Sequence, residues 1–274
     1  MNKVVFITGG GMGIGAATAK KLHDKGASVA LFDINVEAMT SVQTELGERC
    51  IILEGNVCST EDLEIGLQKT ADHFGRVDAV FANAGVAKFT PFVSIDEEEW
   101  QKIVDINLNG VWRTLKAATP YLLSSKGYVL VTSSASSTIC VPLASHYSST
   151  KAAVLNLAEV FRTEMYGFGI EVGTIHPMFI RTAMVEGAVY GNPNGQRLSQ
   201  QSKLMFQDFP LEWVAESAAQ MILKRKRRRT VPIVHLPIIW LPRLANKVVN
   251  LIAFRKKGMR ALMEELASEN LKPK

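Results

Sequence analysis

A doubly wound α/β fold, with an open parallel sheet covered by helices on both faces, is what this 274-residue sequence predicts. Three features predict it. Short apolar runs alternate with stretches of helical period over the first 235 residues. The runs are almost continuously apolar, as strands are when helices bury both of their faces. A glycine-rich turn separates the first run from the first helical stretch.

The elements follow in order. Val4–Thr8 reads as the first strand, and residues 14–25 as the helix that returns over it. Strand-like runs recur at 28–32, 50–54, 77–82, 128–132, 170–175 and 230–234. Amphipathic stretches at 37–46, 61–74, 97–123, 145–166 and 212–224 fill the gaps between them. Seven such units give a seven-stranded sheet with right-handed crossovers. Two stretches break the alternation. Residues 183–210 are rich in Gly, Asn, Gln and Ser, with Met184, Val185, Val189, Met205 and Phe206 scattered through them. So long an irregular segment in a compact domain predicts a lid or binding loop. The other is the end of the chain, so the sequence divides into a main domain over 1–235 and a basic, apolar extension over 236–274.

Composition narrows the setting. Apolar residues make up 47% and charged ones 21%, ordinary values for a soluble globular protein. Cys50, Cys58 and Cys140 show neither C-x-x-C spacing nor a nearby histidine pair. They predict free, mostly buried thiols in a reducing compartment and no metal site. The chain runs from Met1-Asn2-Lys3 straight into Val4-Val5-Phe6-Ile7, without the pattern of a secretory signal. The longest apolar stretch, 230–242, contains Pro232, Pro237 and Pro242 and falls short of the ~18 residues a membrane span needs. A cytoplasmic protein is expected. Net charge is +5 but unevenly placed: residues 224–274 hold 14 Lys and Arg against 3 Glu, so a basic tail follows a mildly acidic body.

The turn after the first strand reads Thr8-Gly9-Gly10-Gly11-Met12-Gly13-Ile14-Gly15. Glycines let backbone N–H groups approach a pyrophosphate, and the helix N-terminus adds partial positive charge. The second strand ends Leu31-Phe32-Asp33, about 20 residues on, where a carboxylate binds the adenosine ribose hydroxyls and repels a 2′-phosphate. No Lys or Arg occurs in 9–15 or 32–36, so NAD is favoured over NADP.

Downstream, Tyr147-Ser-Ser-Thr-Lys151 sets a phenol and an ammonium one helical turn apart. A nearby cation stabilises phenolate, and lowering a tyrosine pKa by ~3 units takes about 4 kcal/mol, within reach of a lysine plus the positive charge of a nicotinamide. Ser134 stands thirteen residues earlier, at the C-terminal end of the fifth strand, where open α/β sheets bind ligands. Its hydroxyl can polarise a substrate oxygen, with Ser133 as the rival.

These motifs together resemble the short-chain dehydrogenase/reductase family, a Rossmann-type fold, over residues 3 to about 234. Thr8-Gly9-x-x-x-Gly13-x-Gly15 is similar to its cofactor fingerprint and Asn83-Ala84-Gly85 to its second signature. Asn56-Val57 stands where the family has Asp-Val beside the adenine. Pro177 and Thr182 keep the spacing of its Pro-Gly-x-x-x-Thr stretch, with Met178 in place of glycine; His176 reads as a packed strand-end residue. The resemblance implies a catalytic tetrad of Asn107, Ser134, Tyr147 and Lys151, with Asn109 the alternative to Asn107. Asn107 would bend its helix and anchor a water that links Lys151 to solvent. The resemblance also implies a cofactor site made of Thr8, Gly9, Gly11, Met12, Gly13, Ile14, Gly15, Asp33, Ile34, Asn56, Val57, Asn83, Ala84, Gly85, Tyr147, Lys151, Pro177, Phe179, Ile180 and Thr182.

The expected activity is NAD(H)-dependent hydride transfer between nicotinamide and a secondary alcohol or ketone, with Tyr147 as acid and base. Beside Ser134, the positions expected at the substrate are Phe89, Val141, Met178, Phe179, Met184 and Val185. They are apolar and uncharged, which favours a lipophilic alcohol or ketone. A non-catalytic dinucleotide sensor or scaffold, or a membrane-recruited interaction protein, is the competing reading on the same fold. The resemblance implies a homodimer or homotetramer built through 97–123 and 145–166. The basic run 224–229, the Pro-rich stretch with Ile238, Ile239 and Trp240, and the amphipathic 244–254 with its following cations read as a packed helical end or, over 224–257, as peripheral docking on anionic lipid. No aromatics interleave the basic run, so nucleic acid is not an expected partner.

Overall fold

The computed structural model describes residues 3–201, 206–233, 241, 246–249 and 256–270. Seven strands form one parallel sheet: β1 Val4–Thr8, β2 Ser28–Asp33, β3 Cys50–Glu54, β4 Ala79–Ala82, β5 Tyr128–Thr132, β6 Glu171–Pro177 and β7 Arg228–Val231. Their order is β3-β2-β1-β4-β5-β6-β7, so the winding reverses between β1 and β4. A crevice opens there at the C-terminal ends of the strands, which is where such sheets take their ligands.

Strand periodicity assigns the two cores. Val5 and Ile7 point to one face with Val29, Leu31, Ala79 and Phe81, covered by α1 (Gly13–Asp24), α2 (Val36–Leu46) and α9 (Leu211–Lys224). Phe6 points to the other with Ala30, Phe32, Val80 and Val129. There α3 (Thr60–Phe74), α5 (Gly110–Ser125) and α6 (Ser145–Met165) cover it. Because both faces are dry, the strands need apolar residues at every position, the pattern seen in the sequence. Ser59 caps α3 by accepting the Asp62 N–H at 3.1 Å, and Gly75 ends it in the left-handed conformation.

The structure changes several expected elements. The single helix expected over 97–123 is α4 (Glu97–Val104) and α5 joined by a π-helical stretch, Asp105–Asn109. The extra residue in that wider turn swings Asn107 inward, where it is fully buried. The loop expected over 183–210 is largely helical: α7 (Ala183–Val185), a second π-helical stretch Glu186–Tyr190, and α8 (Pro193–Gln201). Its polar composition marks an amphipathic cover, with Val189 and Leu198 buried, rather than a structureless loop. The last strand starts two residues before the expected 230, inside the basic run, where the arginines pair with carboxylates.

Those ion pairs also change the reading of the basic tail. Arg225 lies 3.2 Å from Glu171, while Arg227 (3.0 Å) and Arg228 (2.7 Å) share Glu159 with Arg162. Part of the charge expected to face lipid is therefore neutralised within the protein. Met205, Val234, Ile238, Ile239, Trp240 and most of 244–254 lie outside the described residues. Beyond them comes α10 (Lys256–Asn270), packed against α8 and the turn Phe92–Ser94. No helix among the described residues is long and apolar enough to cross a membrane. Of the thiols, Cys50 is buried, but Cys58 is half-buried and Cys140 exposed, so burial was expected too broadly.

Candidate active site

The crevice at the sheet's reversal is built from backbone geometry. Gly9 adopts φ +66°, and a Cβ there would lie 2.9 Å from the Ala84 Cα. Only glycine lets this turn press against the end of β4. Gly15 faces inward: a Cβ would sit 2.0 Å from the Gly9 carbonyl oxygen, so its role is to let the helix close on the turn. Thr8, also behind the surface, accepts the N–H groups of Asn83 (3.0 Å) and Ala84 (3.2 Å) on its hydroxyl. Asn83 donates its amide to the carbonyls of Thr8 and Gly9 and accepts from the Thr132 hydroxyl at 3.2 Å. These bonds staple β1, β4 and β5 together below the crevice.

A cavity of about 840 Å³ runs along it. Asp33, Ile34, Asn56 and Val57 line one end. Gly9, Met12, Gly13 and Ile14 line the middle, with Ala84 and Gly85 from the facing loop. Tyr147, Lys151, Pro177, Ile180 and Thr182 line the other end. The residues fit a dinucleotide. Helix α1 starts with no side-chain cap and no acidic residue in its first turn, which leaves its N–H groups to a pyrophosphate. Gly13, at φ +54°, faces Thr182 across the cleft, 3.7 Å from the Thr182 Cγ2 to a built Cβ. Asp33 is fixed by accepting the N–H groups of Gly11 (3.0 Å) and Asn35 (3.1 Å), on different oxygens. That bond turns Gly11 toward Asp33 rather than into the cavity.

At the far end the tetrad residues come together. Lys151 is buried and donates to the Thr132 carbonyl at 2.9 Å, with its Nζ 5.8 Å from the Tyr147 ring centre. Asn107 accepts the Val86 N–H at 2.8 Å and donates to the Val86 carbonyl (2.9 Å) and the Thr150 hydroxyl (3.3 Å). A Cβ built on Gly85 would touch both Asn107 Oδ1 (3.2 Å) and Lys151 Nζ (3.5 Å), so these groups meet at one spot beneath the cavity. Asn109, the alternative, bonds Asp105 instead. Ser134 lines the cavity with Tyr147, and its hydroxyl accepts the Ser136 N–H at 3.1 Å. Its rival Ser133 also borders the cavity but donates to the Lys151 carbonyl at 3.0 Å, which commits it to holding α6. His176 is packed as expected: its Nε2 accepts the Thr174 hydroxyl at 2.9 Å, and burial lowers its pKa to about 4.

In the chain by itself, burial governs the charges of the pair. Burial pushes the Tyr147 phenol above its ordinary pKa, and the Ser134 hydrogen bond offsets this only in part. Burial also lowers Lys151 to about 8. The expected lowering of the tyrosine drew on the lysine together with the positive charge of a bound nicotinamide; in the chain by itself desolvation penalises both charged forms, and the ammonium donates to the Thr132 carbonyl. With this chain's groups alone the phenol stays protonated, the form that gives a proton.

One network was missed entirely in the sequence. His146, fully buried beside the tyrosine, accepts the Tyr147 N–H on Nδ1 at 3.0 Å and donates from Nε2 to Glu99 at 3.0 Å. Glu99 in turn holds Lys88. Burial tends to raise the Glu99 pKa, but hydrogen bonds from Lys88, Thr90 and His146 outweigh it and hold it low. This ties the first turn of α6 to α4. A histidine next to the tyrosine was the available signal, but its partner lies 47 residues away.

Phe89, Val141, Met178, Phe179, Met184 and Val185 all line the cavity beyond Ser134, with Ile139, Val189 and Asn192 in addition. Phe179, at φ +34°, packs against Phe206 with ring centres 4.4 Å apart and planes tilted by 47°, so the left-handed backbone of this stretch falls at Phe179 and not at Met178. The lining was expected to carry no charge, yet Lys88 borders it, already paired with Glu99. No group of three or more metal-ligating side chains occurs among the described residues.

Fold and site define a dinucleotide-binding α/β protein with a phenol, an ammonium and a hydroxyl at the end of its cleft. The family profile for short chain dehydrogenases matches residues 3–191, and the chain belongs to that family. It is 32% identical over 203 residues to (-)-trans-carveol dehydrogenase of Rhodococcus erythropolis, covering 67% of this chain and 73% of that one. It is 32% identical over 189 residues to cyclohexanol dehydrogenase of Acinetobacter sp., covering 67% and 75%. Among solved structures it is similar to an alcohol dehydrogenase of the archaeon Thermococcus sibiricus complexed with 5-hydroxy-NADP, at 30% identity and a TM-score of 0.72, covering 84% and 95%. The chain is thus an oxidoreductase of a family that binds a nicotinamide dinucleotide and whose relatives act on alcohols.

Proposed function

We propose that this protein is an NAD-dependent dehydrogenase of lipophilic secondary alcohols. The observation that carries the reading is the meeting of Ser134, Tyr147 and Lys151 where the dinucleotide cleft opens into an apolar pocket. When bound, the nicotinamide supplies the hydride acceptor, or the donor in reverse. Tyr147 takes the hydroxyl proton of the alcohol, and Ser134 steadies the oxygen as charge develops on it. Lys151, fixed on the Thr132 carbonyl, would hold the nicotinamide ribose. Asn107 keeps the 86 loop and Thr150 in place beneath Lys151, which is where a proton path to solvent would start. Asp33 supports NAD, because a carboxylate held at the end of β2 by the Gly11 and Asn35 N–H groups would repel a 2′-phosphate. The carveol and cyclohexanol relatives act on apolar alcohols, in keeping with the lining here.

A screen of alicyclic and linear secondary alcohols, read by NADH absorbance, tests the reading. We expect turnover that rises with pH, because burial raises the Tyr147 pKa and a base must lose its proton. Tyr147→Phe should lower the rate by about three orders of magnitude or more while NADH affinity is kept. Binding of NADH without turnover of any alcohol, unchanged in Tyr147→Phe, would point to a sensor instead.

A further inference from the structure

The family match ends at residue 191, yet the substrate pocket does not. Three separate contacts bind the end of the chain to it. Leu262 and Leu266 of α10 are buried in the same apolar cluster as Phe89, Val141, Val189 and Phe206. Arg197 of α8 pairs with Glu265 (3.6 Å) and Glu269 (3.3 Å) of α10. Asn246 accepts the Cys140 N–H at 2.7 Å and donates to the Thr138 carbonyl, gripping the loop that follows Ser134.

Phe89, Val141 and Val189 line the cavity, whereas Leu198 and Phe206 stand one layer behind it. Leu262 and Leu266 close that second layer from outside. Helix α10 also reaches the turn Phe92–Ser94, so it bridges the two sides of the pocket, α8 and the segment after Phe89. A cover held by one side could swing freely; one fixed to both sides sets the volume behind the apolar lining, while Asn246, earlier in the chain, separately holds the 138–140 loop.

We propose that α10, through Leu262, Leu266 and the Arg197 ion pairs, is the specificity-determining cover of the substrate pocket. It limits the substrate to compact apolar alcohols and discriminates against long-chain ones. This rests on the alcohol-dehydrogenase reading above. A linear chain extending past Val189 and Leu198 meets a packed second layer, whereas an alicyclic ring stays within the lining. Truncating the two leucines removes the backing of Leu198 and Phe206 and lets the lining yield outward.

The test uses the full chain and two variants, Leu262→Ala/Leu266→Ala and Arg197→Gln, the second sparing the apolar core. Cyclohexanol and 2-decanol are assayed with NAD, NADH affinity is measured by fluorescence, and amide exchange is followed without cofactor. The proposal expects the kcat/KM ratio of 2-decanol to cyclohexanol to rise about fivefold or more in the double variant and in the same direction in Arg197→Gln. NADH affinity should be unchanged, and amides of 193–201 should exchange at least tenfold faster while those of β1, β4 and β5 stay protected. Equal scaling of both alcohols, or unaltered exchange over 193–201 in either folded variant, would overturn it. Turnover of neither alcohol by the parent chain would sink the alcohol reading alone, since the exchange arm still decides whether α10 holds the cover.

Discussion

Asp33 shows how one side chain is given its task by its neighbours. Two backbone N–H groups, from Gly11 and Asn35, hold its carboxylate at the end of β2, facing the cleft. The same grip that orients it prevents it from swinging away from a 2′-phosphate. Asp33→Ser should therefore raise the KM for NAD roughly tenfold and bring NADP turnover within reach, measured as the ratio of kcat/KM for the two cofactors. A ratio unmoved by the substitution would take cofactor choice away from this residue. The position was legible in the sequence because strand end, glycines and spacing are all local. The state of Tyr147 was not. Its distance along the helix to Lys151 was readable, but its protonation depends on what surrounds both groups: burial pushes the phenol up and the ammonium down.

At the scale of elements, α6 carries the site at one end and a charge cluster at the other. Its Glu159 gathers Arg162 from the same helix, Arg227 from the approach to β7 and Arg228 from the strand itself. Burial alone would raise the Glu159 pKa, but the hydrogen bonds of the three arginines hold it at about 2. A carboxyl with a folded pKa below its unfolded value, about 4.3, contributes stability above that value and loses it as pH falls toward 2. Glu159→Gln should lower Tm by roughly 3–8 °C at pH 7, with the gap to the parent closing between about pH 4 and pH 2. A constant gap across that range would remove the ion pairs as its cause. The π-helical stretch at Asp105–Asn109 is the element-scale feature that periodicity could not give. Apolar spacing over 97–123 fits an unbroken helix, and the widened turn exists because Asn107 must reach Val86 and Thr150.

For the whole molecule, assembly follows from what the sheet leaves outside. Trp112 of α5 and Val160 of α6 are each nearly half exposed, on the helices expected to join copies of the chain. We propose that these helices form a subunit interface. Light scattering should then give a dimer or tetramer, and Trp112→Glu should shift it toward monomer with the circular dichroism unchanged; a monomeric parent would refute the interface.

What the sequence determined by itself was whatever repeats locally: seven apolar runs, the glycine turn, the carboxylate at a strand end, and a phenol and ammonium one turn apart. Those patterns are imposed by backbone period and by the steric needs of a tight turn, so they appear in linear order. The neighbours that chain distance hides came from folding alone: His146 on Glu99, the arginines on Glu159, and α10 across α8. Burial and long-range pairing set those energies, and neither is written into the spacing of residues along the chain.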